Sequence, residues 1–244
     1  MIAVRRAALI RALDVLLMLM LDIKGKGRNN MTLRKLSFAF TILSLIFLCL
    51  PTPIFSKQEN KATYESLLEK VKKSDPTADF TALRLAYADN PPKDSEGADP
   101  DTNKAMFSAF RSKKYDKAIE YAQKILKGNF VDINAHLVLA AAYKEKNDLE
   151  KEKFHSYVAE GLIKSILKSG DGKSQETAFV VISTDEEYVI LRVFGLMPGS
   201  QSLESAKGHH YDRLDAVDPK TNQKVTLYFN IDRPYGALEN IFKK

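Results

Sequence analysis

The 244-residue sequence has one cysteine, no tryptophan and four histidines. The cysteine is Cys49, inside an apolar run near the start, so a chain cut after residue 56 would have none. Disulfides, thiolate metal sites and a cysteine nucleophile are then excluded, and the fold must stand on packing alone. Catalytic signatures are equally scarce. No phosphate-binding loop or dinucleotide fingerprint occurs, and "GLMPGSQS" lacks the spacing of a nucleophile elbow. The expectation is a protein without a cofactor, leaning away from catalysis. A usable excess of positive charge is missing too. The formal charge is +6, but residues 1–56 hold eight of the 37 Lys and Arg and only two of the 31 Asp and Glu. The remaining chain balances 29 bases against 29 acids. That removes the electrostatic case for a nucleic-acid partner.

What is present begins with an export signal. From Met31, Arg34 and Lys35 precede an apolar run over 36–50, then Pro51 and Pro53 break any helix and Ser56 offers a small residue. Residues 31–56 therefore read as a signal peptide. A run of about 15 residues is short of the ~20 that span a bilayer. The mature chain is expected to start at Lys57, in the periplasm or outside the cell. An uncleaved anchor is one alternative. A lipoprotein attached at Cys49 is another, disfavoured by the bulk of Leu48. Residues 1–30 read as an N-terminal extension from a start codon placed too early. The alternative there is a first membrane-associated helix, against which Asp14 and Asp22 count.

Beyond the signal, helical spacing gives way to strand-like composition. Residues 57–101 read as N-terminal helices and a loop, with "ATYESLLEKVKKSD" (62–75) and "FTALRLAYAD" (80–89) helical and Asp79 as a cap. "NPPKDSEGADPD" (90–101) is loop-forming. Residues 102–172 read as tetratricopeptide-like helical hairpins. Tyr115, Ala118, Ile119, Ala122, Ile125 and Leu126 form one apolar stripe. Tyr115 and Leu149 stand one 34-residue period apart, and Leu139, Ala140 and Tyr143 supply a large–small–aromatic signature. Glu152 sits where a second small residue is expected, so there is one repeat junction and no array. Residues 173–244 read as four antiparallel strands, "TAFVVIS", "YVILRVFGLM", "GHHYDRLDAVD" and "KVTLYFNID". The expected class is α+β, helical hairpins followed by a four-stranded antiparallel sheet packed as one domain with them.

Three stretches, "DFTALRLAYAD" (79–89), "TDEEYVILRVFGLMPGSQSL" (184–203) and "YDRLDAVDP…VTLYFNID" (211–232), form an ordered set. Together they resemble a bacterial family of secreted proteins, common in Bacteroidetes, known only as a domain of unknown function. The similarity runs from about residue 62 to 238. The sequence departs from the family pattern after Ala-Tyr, where a Tyr-Asn-Pro-Tyr-like segment is replaced by "NPPKDSEG". The resemblance implies secretion and an α+β fold, and no reaction.

Candidate chemistry is thin. On a strand, His210 and Asp212 would share one face, and a third ligand would have to come from Asn230 or Asp232, but a metal needs three or four. A surface or hairpin-pairing role is the expectation for them. Glu186 and Glu187 are expected at a solvated turn, and His136 and His155 as packed helical histidines. The 197–213 segment, with Gly199 and Gly208, is the sharper prospect for recognition: an adaptable loop on which Gln201, Tyr211 and Arg213 could offer hydrogen-bond and stacking groups, set against the plainer reading of an inter-strand crossover. The favoured reading is an exported envelope protein, non-enzymatic, binding another envelope protein or a peptide. The rival is an envelope hydrolase with its site near 197–213.

Overall fold

Four of the described helices begin where a side-chain oxygen caps them. In the computed structural model, which describes residues 63–91 and 100–236, α1 (Tyr64–Lys72) and α2 (Phe80–Asp89) are capped by Thr63 and Asp79, whose oxygens accept from the backbone N–H of Ser66 and Ala82. Asp132 and Asp148 do the same for α5 (Ile133–Glu145) and α6 (Leu149–Leu167), through Ala135 and Lys151. Between them lie α3 (Pro100–Arg111) and α4 (Tyr115–Gly128). The signal peptide, the expected start at Lys57, the 1–30 extension and most of the 90–101 loop fall outside the described residues. Among the described residues, no helix is long and apolar enough to cross a membrane.

The two hairpins, α3–α4 and α5–α6, repeat one turn geometry. Lys113 (φ 58°) and Asn147 (φ 59°), 34 residues apart, both enter the left-handed region. In each turn the next N–H returns to the carbonyl five residues back, Lys114 to Ala109 and Asp148 to Tyr143, both at 2.9 Å. The 34-residue spacing read from Tyr115 and Leu149 is thus a spacing of helix stops as well as of side chains. On α4 the expected stripe faces inward, with Ala118, Ala122 and Ile125 buried. They join Met106, Ala135, Val138, Leu139 and Tyr143 in a cluster of their own.

A larger cluster joins the other helices to the sheet. Leu67 and Val71 of α1, Leu83 of α2 and Leu162 and Ile166 of α6 pack with Leu214, Leu227 and Phe229. The sheet holds β1 (Phe179–Val180), β2 (Met197–Ala206), β3 (His209–Val217) and β4 (Lys224–Asn230), in the order β1-β4-β3-β2. The α+β class and the count of four strands hold, but the pairing is mixed. β2–β3 and β3–β4 are antiparallel, whereas β1 runs parallel to β4. The segment after β1 accounts for this. "TDEEYVILRV" is not a strand but helix α7 (Thr184–Val193), and it carries the chain across so that β1 enters in the same sense as β4.

Three signals favour helix over the β-branched composition of this segment. Ser183 and Glu186 stand at capping-box spacing, and although the Ser183 side chain makes no cap bond, the Glu186 carboxylate reaches back past the N-cap to accept from the Ile182 N–H at 2.8 Å. Val189 and Ile190 fall on one face with Glu186. Gly195, at φ 69°, supplies the left-handed stop, with the Leu196 N–H returning to the Leu191 carbonyl at 2.9 Å.

The expected loop at 197–213 is corrected as well. It is the β2–β3 hairpin, turning at Lys207 and Gly208, both at positive φ. Its glycines supply a turn and a bulge rather than an adaptable loop. Gly199 lies where the β2–β3 register shifts between Pro198 and Gln201, close against the Asp215 carbonyl.

Candidate functional site

Helix α7 brings two neighbouring carboxyl groups into the interior. Glu186 and Glu187 do not sit in a solvated turn; they are 4% and 0% exposed. Glu186 meets Arg84 of α2, whose guanidinium is also buried and donates to it at 2.7 Å. Arg84 donates in addition to the Ser165 hydroxyl of α6 and to the Val180 carbonyl of β1. One side chain therefore ties two helices and a strand to α7. Burial pushes the Glu186 carboxyl up, while Arg84 and the Ile182 N–H pull it back. Its Oε1 has no hydrogen-bond partner.

Glu187 turns to the sheet. Burial first, then the neighbouring Asp212, raises its carboxyl to about 9, so at neutral pH Glu187 holds its proton. Asp212 lies on the face of β3 that also carries Leu214 and Ala216, toward the helices. Gln201 of β2 closes the pair, donating to Asp212 at 2.7 Å and accepting from the Tyr188 hydroxyl at 3.2 Å. The three stretches that carry the family resemblance meet here. Arg84 comes from the first, Glu186, Glu187, Tyr188 and Gln201 from the second, and Asp212 from the third.

The other expected residues are distributed differently. Gln201, Tyr211 and Arg213 do not converge, because strand alternation puts Gln201 on the helix-facing side and the other two on the opposite face. Tyr211 is buried, and Arg213 pairs with Asp215 at 2.8 Å. His210 and Asp212 do share a face but not a partner. His210 stacks on Tyr235 with ring centroids 3.7 Å apart. Asp232 accepts from the His210 backbone N–H and pairs with the His209 ring, bracing the end of the hairpin. Among the described residues no group of three His, Cys, Asp or Glu side chains is placed to hold a metal ion.

His136 and His155 form a hydrogen-bonded pair, with Nδ1 atoms 2.9 Å apart. The His136 Nε2–H donates to the Phe130 carbonyl, so His155 supplies the proton between the rings. Burial lowers them to about 3 and about 4. They are packing residues, as read from the sequence.

Among the described residues, five of the seven large exposed hydrophobic side chains fall within residues 188–203: Tyr188, Val193, Phe194, Met197 and Leu203. Tyr188 and Val193 belong to α7 and Met197 and Leu203 to β2, which is an edge strand with a neighbour on one side only. Leu203, 56% exposed, shares its face with Gln201 two residues earlier.

An α+β protein with a doubly anchored central helix beside an open sheet edge is the class these features define. The chain belongs to the family described as Domain of unknown function (DUF4919), which it matches over residues 55–240. No curated protein and no solved structure matches it.

Proposed function

We propose that this is an exported envelope protein that binds an extended peptide segment of another envelope protein along the β2 edge. The observation that supports the reading is the coincidence of a ten-residue strand with one edge unpaired and the concentration of exposed apolar side chains at 188–203. Edge strands are normally guarded by charge, proline or a bulge. In β2 the guards gather at its start, in Pro198 and the adjoining bulge, and the stretch from Gln201 to Ala206 carries one charge, Glu204. Adding a strand there supplies main-chain hydrogen bonds for affinity, and Leu203 and Tyr188 offer apolar contacts for specificity. Export rests on the 31–56 segment. Intact mass of the protein from its native compartment should give a chain starting at Lys57; retention of 31–56, or a lipidated Cys49, would contradict cleavage there.

The binding test uses the full chain and a panel of ten-residue peptides with apolar residues at alternate positions, read by fluorescence anisotropy. Leu203→Lys should weaken the best binder at least about tenfold, as loss of an interface anchor does. Leu149→Lys, at a similarly exposed leucine on α6, should leave it unchanged. Equal behaviour of the two variants would remove the β2 edge from the account.

A second reading, acid–base hydrolysis, is favoured by the buried, raised carboxyl of Glu187 beside Asp212 and Gln201. Both carboxyls are buried, so a substrate would reach them only with Gln201 and Tyr188 displaced. Hydrolysis of a peptide, ester or glycoside that is lost in both Glu187→Gln and Asp212→Asn would favour this reading over the first.

A further inference from the structure

Past residue 56 the sequence has no cysteine, no tryptophan and two methionines, Met106 and Met197. The readily oxidised sulfur of this part of the chain is therefore confined to two thioethers, and the fold treats them oppositely. Met106 of α3 is 0% exposed and sits in the helical cluster with Ala118, Ala122 and Leu139. Met197, the first residue of β2, is 59% exposed, more than any other large hydrophobic side chain among the described residues. It lies two residues beyond the left-handed stop at Gly195, with Val193 and Phe194 exposed on the other side of that turn. In the sheet Met197 stands opposite Val217, on the face turned away from the helices, whereas Leu203 stands opposite Asp212 on the helix-facing side. A segment laid along β2 would meet Leu203 on one face and Met197 on the other.

We infer that Met197 is a site of oxidative modification, where a peroxide converts the thioether to a sulfoxide, turns the head of β2 polar and weakens peptide binding there. The effect on binding rests on the β2-edge reading, and the modification itself does not. The thioether sulfur attacks one peroxide oxygen, so that an S–O bond forms as the O–O bond breaks. The hydroxide released takes the proton from the transferred oxygen and departs as water. Sulfur is oxidised by two electrons and the peroxide reduced by two. Access decides which thioether reacts, and of the two Met197 is the one offered to solvent. The product is a polar, chiral side chain where a flexible apolar one stood. Met197 belongs to neither buried cluster, so the change falls on the surface and spares the core.

Full-chain protein would be treated with dilute hydrogen peroxide, and peptide mapping by mass spectrometry would follow the gain of one oxygen at Met106 and at Met197 separately. Met197 should oxidise at least about tenfold faster than Met106, and a methionine sulfoxide reductase should reverse it. Equal rates, or faster reaction at Met106, would overturn the site whether or not the β2 edge binds anything. Treated and untreated parent, Met197→Leu and Met197→Gln would then be compared in the peptide anisotropy assay. Peroxide should weaken binding by the parent about threefold or more and leave the affinity of Met197→Leu where it was. Untreated Met197→Gln, polar and unbranched like the sulfoxide, should match the treated parent. Selective oxidation of Met197 with no change in affinity would overturn the effect on the edge. A parent that binds no peptide sinks the edge reading and the effect on affinity together, while the two oxidation rates still decide the site.

Discussion

Arg84 brings five N–H donors into the core and finds a carboxylate, a hydroxyl and a carbonyl to receive them. Taking two charges out of water costs several kcal/mol per ion, so such a pair is worth most through what its loss leaves behind. Arg84→Met strands Glu186 in the interior and should cost about 3–5 kcal/mol in urea melts. Arg84→Met with Glu186→Leu should recover part of that loss, since neither charge remains. A single variant within about 1 kcal/mol of the parent would mean that the pair does not hold α7 in place.

Glu187 and the histidine pair oppose each other in pH. Between about 4.5 and about 9 the folded chain keeps a proton on Glu187 that the unfolded chain has released. Its contribution is complete below 4.5 and is lost as pH rises through 9. The imidazoles act on the acid side. Unfolded, they take protons below about 6.5; folded, they resist to about 3 and 4, so their contribution is complete above 6.5 and falls away as pH drops. Glu187→Gln, which keeps a neutral donor toward Asp212, should therefore gain on the parent between pH 6 and 9, by on the order of a few kcal/mol. Its acid limb should be unchanged. Parallel stability curves for the two proteins would refute the protonated Glu187.

At the scale of elements, α2 and α6 approach closely because Gly161 has no side chain. A Cβ there would fall inside contact distance of the Phe80 ring, which itself packs edge-on against Tyr157. Helix propensity alone favours Gly→Ala by about 1 kcal/mol, so the sign of Gly161→Ala reports which effect wins. The clash should win, for a net loss of about 1–3 kcal/mol. In a Phe80→Ala background the same substitution should become stabilising, a coupling that a double-mutant cycle reads directly. Additive effects would place the close approach elsewhere.

The elements that were legible in the sequence are those whose signals agree. Asp79 and the stripe on α4 point the same way as propensity, and "LYFNI" alternates so that Leu227, Phe229 and Ile231 are buried together. Helix α7 was obscured because its signals conflict. "YVILRV" is β-branched and reads as a strand, while the punctuation at Ser183, Glu186 and Gly195 specifies a helix, and the tertiary setting follows the punctuation. The misplaced helix then hid the site. Adjacent glutamates look solvated at a turn, and only the distant Arg84 and Asp212, brought in by the fold, give each of them a buried partner. Of the three candidate binding residues read from the sequence, Gln201 is placed beside Asp212 by the fold, whereas Tyr211 and Arg213 lie on the opposite face of β3, since neighbouring strand positions alternate once Asp212 points inward.

For the whole molecule, a helical half and a sheet share one large core, and α7 is pinned between them by Arg84 on one face and Asp212 on the other. That anchoring leaves β2 as the open edge, flanked by Tyr188 and Leu203. Hydrogen exchange of the full chain, with and without a saturating alternate-apolar peptide, tests the binding claim most directly, because strand addition protects backbone amides and a side-chain contact does not. The amides of Gln201–Ala206 whose N–H groups point away from β3 should slow markedly on peptide addition, with those of α3 and α4 unchanged. Protection that appears on the helices while the β2 amides exchange as before would contradict the account.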